Sequence, residues 1–243
     1  MPKSLSHRRL RLDPMECRVN PSHTVTIVAT DLTGPEGTEV ALTSDVTGAV
    51  APIYTWSVTR DGAEFATATT EDFTFTPDDD GTYVVTLSVA DTGADPADPT
   101  GENHTVTDTE TITATNVAPT ATVSGPTTSV PGLPVTFTLG ATDPSEVDEE
   151  AGFEFQIDWD GDGTTDETVT GPAGTTVTHT FAGTGTNTVT VTATDKDDGT
   201  SAPVTLAVAV KTAALIDDPL SPGDQLLAVG GTDGADSIQL IPG

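Results

Sequence analysis

Asp158, Asp160, Asp162, Gly163 and Asp166 occupy places one, three, five, six and nine of the twelve-residue stretch DWDGDGTTDETV, residues 158 to 169. A calcium loop uses this spacing, because hard carboxylate oxygens suit Ca²⁺ and a glycine at the sixth place allows the sharp bend. The twelfth place, where a bidentate glutamate would close the shell, is Val169, and Glu167 is the nearest replacement. Asp-Gly pairs are also what a tight turn between strands selects for backbone reasons alone. Ile157 and Trp159 fall on one face of an alternating run, which puts Asp158 and Asp160 together on the other. Two readings are therefore open for this stretch: a calcium ligand set of Asp158, Asp160, Asp162, Asp166 and Glu167, or a turn that the strands need anyway.

No other residues assemble into a catalytic pattern. His7, His23, His104 and His179 are isolated, and the chain has no His-Glu-x-x-His pair, no Gly-x-Ser-x-Gly elbow and no phosphate loop. Trp56 and Trp159 could stack on a sugar, but each lies in register with apolar residues two apart and is expected in the core. The single cysteine, Cys17, rules out a disulfide within one chain. A non-catalytic protein is expected.

The 38 acidic residues face only 8 basic ones, and five of those eight, Lys3, Arg8, Arg9, Arg11 and Arg18, lie in the first 18 residues. From Val19 onward Arg60, Lys196 and Lys211 stand against 36 acids, a net charge of −33. Such a surface repels nucleic acid and anionic lipid and attracts cations. The acids cluster at turns while Val, Ile, Leu and Phe recur between them, so the body is expected to fold. No apolar run reaches the length of a membrane span, and the basic N-terminus lacks the continuous apolar stretch of a cleavable signal peptide.

The elements that must position the acids are strands. HTVTIVAT, GTEVALTS, PIYTWSVT, DFTFT, TYVVTLSVA and TVTDTETITAT alternate apolar residues with Thr, Ser or acids between Gly, Pro and Asp clusters. The series then recurs as TATVSGP, LPVTFTLGA, FEFQIDW, TTVTHTF, TNTVTVTATD and APVTLAVAV. Tyr54, Trp56 and Val58 lead into Asp61-Gly62 as Phe155, Ile157 and Trp159 lead into Asp162-Gly163, with seven residues from the first aromatic to the aspartate in both. The segment TNVAPT near residue 117 joins the two copies.

These copies resemble the PKD (polycystic kidney disease) domain, a seven-stranded immunoglobulin-like module. The likeness is carried by EGTEVALTS, YTWSV and DDDGTYVVTLSVAD in the first copy, and by FQIDWDGDG and GTNTVTVTATDKDDG in the second. The family's Trp-Asp-x-Gly-Asp-Gly turn is approximated by Trp159 to Gly163, one residue shorter. Asn187 stands where the first copy has Tyr83, so the resemblance implies a tyrosine corner in the first copy alone. It implies an all-β fold of two tandem immunoglobulin-like β-sandwiches; the basic, proline-broken N-terminus is expected to be a flexible tail, and the last residues to form a short C-terminal hairpin. The expected division is a basic segment over 1–20, sandwiches over 21–116 and 117–211, and a linker with hairpin over 212–243.

In such a sandwich the B–C and F–G loops share one end. In the second copy these are ATDPSEVDEE, with Asp143, Glu146, Asp148, Glu149 and Glu150, and TDKDDG, with Asp195, Asp197 and Asp198. Asp78, Asp79 and Asp80 of the first copy would face them, with Lys196 and Arg60 as counter-charges. Asp143, Asp148, Asp195, Asp197 and Asp198 are therefore a second candidate calcium set, one that would stiffen the hinge.

Two further resemblances concern the ends. RRLRLDPMECRVNPS is similar to the export-associated N-terminal segment of planctomycete surface and secreted proteins, with Leu12, Asp13, Met15, Glu16 and Arg18 in the motif's places. LLAVGGTDGADSIQL resembles one coil of a hemolysin-type calcium repeat, with Gly231, Gly234, Asp236 and Ile238 in place and Thr232 replacing a glycine. Such coils bind calcium between neighbouring turns, so one copy is expected to form a simple hairpin, although Asp236 remains a metal candidate. The expected function is an extracellular or cell-surface spacer or adhesion module acting on a protein or polysaccharide. The alternative is an accessory binding part of a larger secreted enzyme.

Overall fold

The computed structural model describes residues 23–92, 104–217 and 223–231. The basic N-terminal segment, for which an export role is expected from sequence, and Asp236 lie outside these residues.

Alternating Thr and Val favour the pleated ribbon over the helix, because β-branched side chains lose rotamer freedom in a helix and pack well across strands. The first series forms β1 (Thr24–Ala29), β2 (Thr33–Pro35), β3 (Val40–Thr47), β4 (Pro52–Arg60), β5 (Ala63–Ala68), β6 (Phe73–Phe75), β7 (Gly81–Asp91) and β8 (Thr105–Thr115). They build two sheets, in the orders β1-β3-β6 and β2-β8-β7-β4-β5. The second series forms β9 (Thr120–Ser124), β10 (Thr128–Ser129), β11 (Pro134–Thr142), α1 (Glu146–Ala151), β12 (Phe153–Asp158), β13 (Glu167–Gly171), β14 (Thr175–Thr180), β15 (Gly185–Thr194) and β16 (Val204–Val210). Its sheets run β14-β11-β9 and β10-β16-β15-β12-β13, the same two orders again. In both series a short edge strand pairs in parallel with the last strand, β2 with β8 and β10 with β16. All the other pairings with a described register are antiparallel and bring neighbouring hairpin strands together or return the chain across the sheet.

The later sandwich has one continuous core. Phe137, Leu139 and Ala141 of one sheet meet Phe155, Ile157, Val189, Val191 and Val208 of the other, and all are buried. Burying each large apolar side chain contributes about 1.5–3 kcal/mol, so this interior is the main source of the unit's stability. In the earlier series Trp56, Val58, Tyr83, Val85, Leu87 and Val89 are wholly buried, and Trp56 Nε1 donates to Thr70 O at 2.9 Å. Both tryptophans are thus core residues, Trp159 being only 5% exposed.

The turn after β4 is set by two residues. Asp61 and Gly62 have φ of 52° and 79°, and Arg60 pairs directly with Ala63. Two successive positive φ values define the two-residue hairpin whose twist matches its strands, which is why Asp-Gly stands there.

The chain divides into two compact units. One contains the described parts of residues up to 30, 41–73 and 84–110; the other contains 31–40, 74–83 and the described residues from 111 onward. The second unit therefore holds the whole later sandwich together with β2, Thr74 and Phe75 of β6, the turn entering β7 with its first three residues, and the end of β8 from Thr111. It also holds β17 (Ala213–Asp217) and β18 (Gln225–Val229), which pair antiparallel. The apolar arm Leu226–Val229 is thus matched with a strand that lies in what the sequence reads as linker; the arm beyond residue 231 is not among the described residues.

Candidate metal centre

The β12–β13 loop uses its carboxylates to hold its own backbone. Asp158 Oδ1 accepts the amides of Asp160 at 3.2 Å and Gly161 at 2.6 Å, and its Oδ2 accepts Gly163 N at 2.8 Å. Asp160 accepts Asp162 N at 3.1 Å, Asp162 accepts Thr164 N at 2.7 Å, and Asp166 accepts Trp159 N at 2.7 Å. Glu167 Oε2 accepts the indole N–H of Trp159 at 3.1 Å. Each candidate ligand is a partner the turn requires, because a sharp loop exposes amides that have no strand to pair with. Asp158, Asp160 and Asp166 can still present one oxygen each within 4.8 Å of one another, whereas Asp162 is not part of that group. Asp158 is 9% exposed and folds over the turn instead of standing on the outer face. Burial alone would raise its pKa, but the amides of Gly163, Gly161, Asp160 and Asp162 outweigh it and hold the carboxyl below the ordinary Asp range.

Asp158→Ala is accordingly expected to lower the melting temperature by several degrees through loss of these acceptors, while calcium affinity changes less than about twofold. Thermal melts with and without Ca²⁺ check this; a variant with unchanged melting and lost calcium binding would contradict it.

A different group of acids gathers around the buried Glu36, Asp79 and Asp148, and all of it belongs to the second unit. Glu36 follows the last residue of β2, is 1% exposed, and donates its backbone N–H to Thr115 O at 3.1 Å. Its Oε1 accepts Val117 N at 2.7 Å, and its Oε2 has no hydrogen-bond partner. The next residue, Gly37, has φ of 68°, and a Cβ there would stand 2.7 Å from Pro144 Cβ. Only glycine lets the loop of Glu36 lie against the loop of Asp143.

Asp143 and Asp148 are placed by α1. Ser145 caps the helix, its Oγ accepting Asp148 N at 3.1 Å and donating to Asp78 O at 2.9 Å. Ser145 N donates to Asp143 Oδ1 at 2.9 Å, and Asp143 N donates to Glu149 Oε1 at 3.1 Å. Asp148 has no exposed surface. Its Oδ2 is without a partner, as is Asp143 Oδ2. Asp79 is held by Tyr83, whose hydroxyl lies 2.9 Å from both Asp79 O and Asp78 Oδ1.

The 195–199 loop supplies the cation. Lys196 Nζ lies 2.7 Å from Asp79 Oδ1 and 3.2 Å from Asp148 Oδ1, and it also pairs with Asp197 Oδ2. Asp195 closes its own loop instead, accepting Asp197 N at 2.9 Å, Gly199 N at 2.8 Å and the Asn116 amide at 3.2 Å. Asp198 sits at the tip with φ of 66° and is exposed. Of the sequence candidates, the structure therefore brings Asp143, Asp148 and Asp197 into or beside the cluster, while Asp195 braces it and Asp198 takes no part.

Oxygens of Glu36, Asp143 and Asp148 lie within 4.8 Å of one another, as do those of Asp79, Asp148 and Asp197, and those of Glu36, Asp79 and Asp80. Burial pushes the Glu36 pKa up to about 7, against the Val117 amide, and the charges of Asp148, Asp143 and Asp79 add to the rise. Burial first, then neighbouring carboxylates, also raise Asp143. Burial raises Asp148 although Lys196 and Ser145 oppose it. Burial disfavours the Lys196 charge, but Asp197, Asp79 and Asp148 outweigh it and keep the ammonium protonated. One lysine leaves the group short of positive charge. An all-oxygen set of several carboxylates suits Ca²⁺ better than a softer metal.

Glu36 and Ser145 were not visible as site residues from sequence. The signal for Ser145 is its place three residues before Asp148, a capping pattern. For Glu36 it is an acid set between Pro35 and Gly37 in a turn, a weak sign by itself.

Sheets and core define an immunoglobulin-like β-sandwich protein. Within it, residues 116–210 match the family model of the PKD domain. The PKD domain of an M14-like peptidase from a Thermoplasmatales archaeon is 31% identical over 40% of this chain and 98% of its own length, with a TM-score of 0.34. The fibronectin(III)-like modules of CbhA from Clostridium thermocellum are 16% identical over 76% of this chain and 94% of their own, with a TM-score of 0.32. The amphioxus IgVJ-C2 molecule is 18% identical over 72% and 98%, with a TM-score of 0.37. No curated protein matches the chain.

Proposed function

We propose that this protein is a non-catalytic extracellular spacer or adhesion module in which calcium fixes the chain around Asn116 and Val117, where two sandwich copies, 21–116 and 117–211, are joined. The observation that carries this reading is the set of partnerless buried oxygens: Glu36 Oε2, Asp143 Oδ2 and Asp148 Oδ2. A buried carboxylate oxygen without a donor costs several kcal/mol unless a proton or a cation meets it. A calcium ion bridging Glu36, Asp143 and Asp148 would supply that cation and tie the Glu36 loop to α1. The repeated strand order supports the two-copy division, and the PKD match supports a binding or spacing role outside the cell. Among the described residues no helix is long and apolar enough to cross a membrane. The partner is an extracellular protein or polysaccharide, since the net charge of −33 beyond residue 18 disfavours nucleic acid.

Calorimetric titration of the chelator-treated protein with Ca²⁺ tests the reading. One ion is expected to bind, with Glu36→Gln weakening it at least about tenfold and Asp158→Ala leaving it unchanged. Absence of binding heat and of any calcium effect on melting would end the calcium part of the proposal.

A further inference from the structure

The cluster contains two groups of three carboxylates that share Asp148 and are treated differently. Glu36, Asp143 and Asp148 offer oxygens with no donor, whereas the oxygens of Asp79, Asp148 and Asp197, within 4.8 Å of one another, surround the Lys196 ammonium. The ammonium lies 2.7 Å from Asp79 Oδ1 and 3.2 Å from Asp148 Oδ1, in the range of a cation on hard oxygen ligands and slightly longer than the 2.3–2.6 Å of calcium. Asp148, with no exposed surface, still keeps Oδ2 without a partner after meeting the lysine.

We propose that the Asp79–Asp148–Asp197 triad is a second divalent-cation site whose cation is supplied by the chain itself, in the form of the Lys196 ammonium. Lys196 is the residue that sets how many metal ions the cluster takes. A tethered +1 charge reaches three carboxylates without any loss of translational freedom on binding, so the site stays filled whatever the calcium concentration. A divalent ion would have to displace an ammonium held by three carboxylates and desolvate itself as well. The site at Glu36, Asp143 and Asp148 has no such resident charge and answers to free metal. The count of ions in the native protein rests on the calcium reading above; the identity of the triad as a latent site does not.

Calorimetric titration with Ca²⁺ of the full chain and its Lys196→Met variant tests this. The native protein is expected to bind one ion and Lys196→Met two, the second with a dissociation constant at or below about 1 mM, the range of extracellular sites. Lys196→Arg keeps the cation and should bind as the native protein does. Adding Asp197→Asn to Lys196→Met should remove the second ion again. If the native protein binds one ion and Lys196→Met also binds one, the proposal is overturned while the calcium reading stands. If the native protein binds none and Lys196→Met binds one, the proposal stands and the calcium reading falls. No binding by either overturns both. Removing the lysine leaves buried charges uncompensated, and a Lys196→Met variant that is unfolded after chelation is tested by refolding. Recovery of its native circular dichroism on adding millimolar Ca²⁺ then supports the proposal, and failure to recover overturns it.

Discussion

Metal-free protein is expected to become more stable as the pH is lowered from about 7 to about 4.5, the interval between the folded and ordinary values for Glu36. Within that window the folded state binds more protons than the unfolded chain, because Glu36 is raised to about 7 and Asp143 and Asp148 shift in the same direction. Unfolding free energy then falls as pH rises, and it levels off once Glu36 is ionised in both states. The Glu36 shift by itself corresponds to a change on the order of 3 kcal/mol, a large share of the 5–15 kcal/mol typical of a folded domain. Asp158 works in the opposite sense, since its pKa is lowered, but it acts only below the ordinary Asp range. Saturating Ca²⁺ should reverse the slope, because protons then compete with a bound ion for the same oxygens. Urea unfolding at a series of pH values, in metal-free buffer and in calcium, measures both slopes. Equal slopes in the two buffers would mean that Glu36, Asp143 and Asp148 do not share a cation.

The second large effect lies in the core. Phe137 has no exposed surface, and its ring stands 5.1 Å from that of Trp159 and 6.4 Å from that of Phe181, the latter edge-on. A Cβ on Gly125 would come within 2.5 Å of the Phe137 ring, so the backbone of that loop rests directly on it. Phe137→Ala is expected to cost about 3–5 kcal/mol, combining lost burial with a cavity that neighbouring β-sheet backbone cannot collapse to fill. Phe137→Leu should cost well under half of that. Urea midpoints of the two variants decide it, and a loss below about 1 kcal/mol for Phe137→Ala would show that β9 and β14 close over the gap.

The strands were legible because the code for them is local. The alternation in β4 and β12 identifies Trp56, Val58, Phe155 and Ile157 as inward-facing, and the Asp61-Gly62 pair specifies its own turn. Two features escaped for different reasons. The stretch around Asp143 reads as a loop because α1 is only six residues long, too short for a helical period, although Ser145 and the acids after it form a proper start. Glu36 became a site residue through contacts with Val117 and with loops more than a hundred residues away, and no spacing rule reaches that far. The opposite happened at DWDGDGTTDETV. Its metal-like spacing is genuine, yet the amide hydrogen bonds of Asp158, Asp160, Asp162 and Asp166 show that the same spacing satisfies a turn.

The parallel edge pairs also bear on mechanics. β2 enters beside β8, with Thr113 N donating to Leu32 O at 2.9 Å and Glu36 N to Thr115 O at 3.1 Å. β10 enters beside β16, where Ala209 N donates to Thr127 O and Lys211 N to Ser129 O, both at 2.9 Å. Tension drawn along the chain pulls the entering strand and the leaving strand in opposite directions along their common axis. Those hydrogen bonds are then loaded in shear and must rupture together, whereas a hairpin pulled from its open end loses them one at a time. Each sandwich thus carries a small shear-loaded clamp between its short edge strand and its last strand.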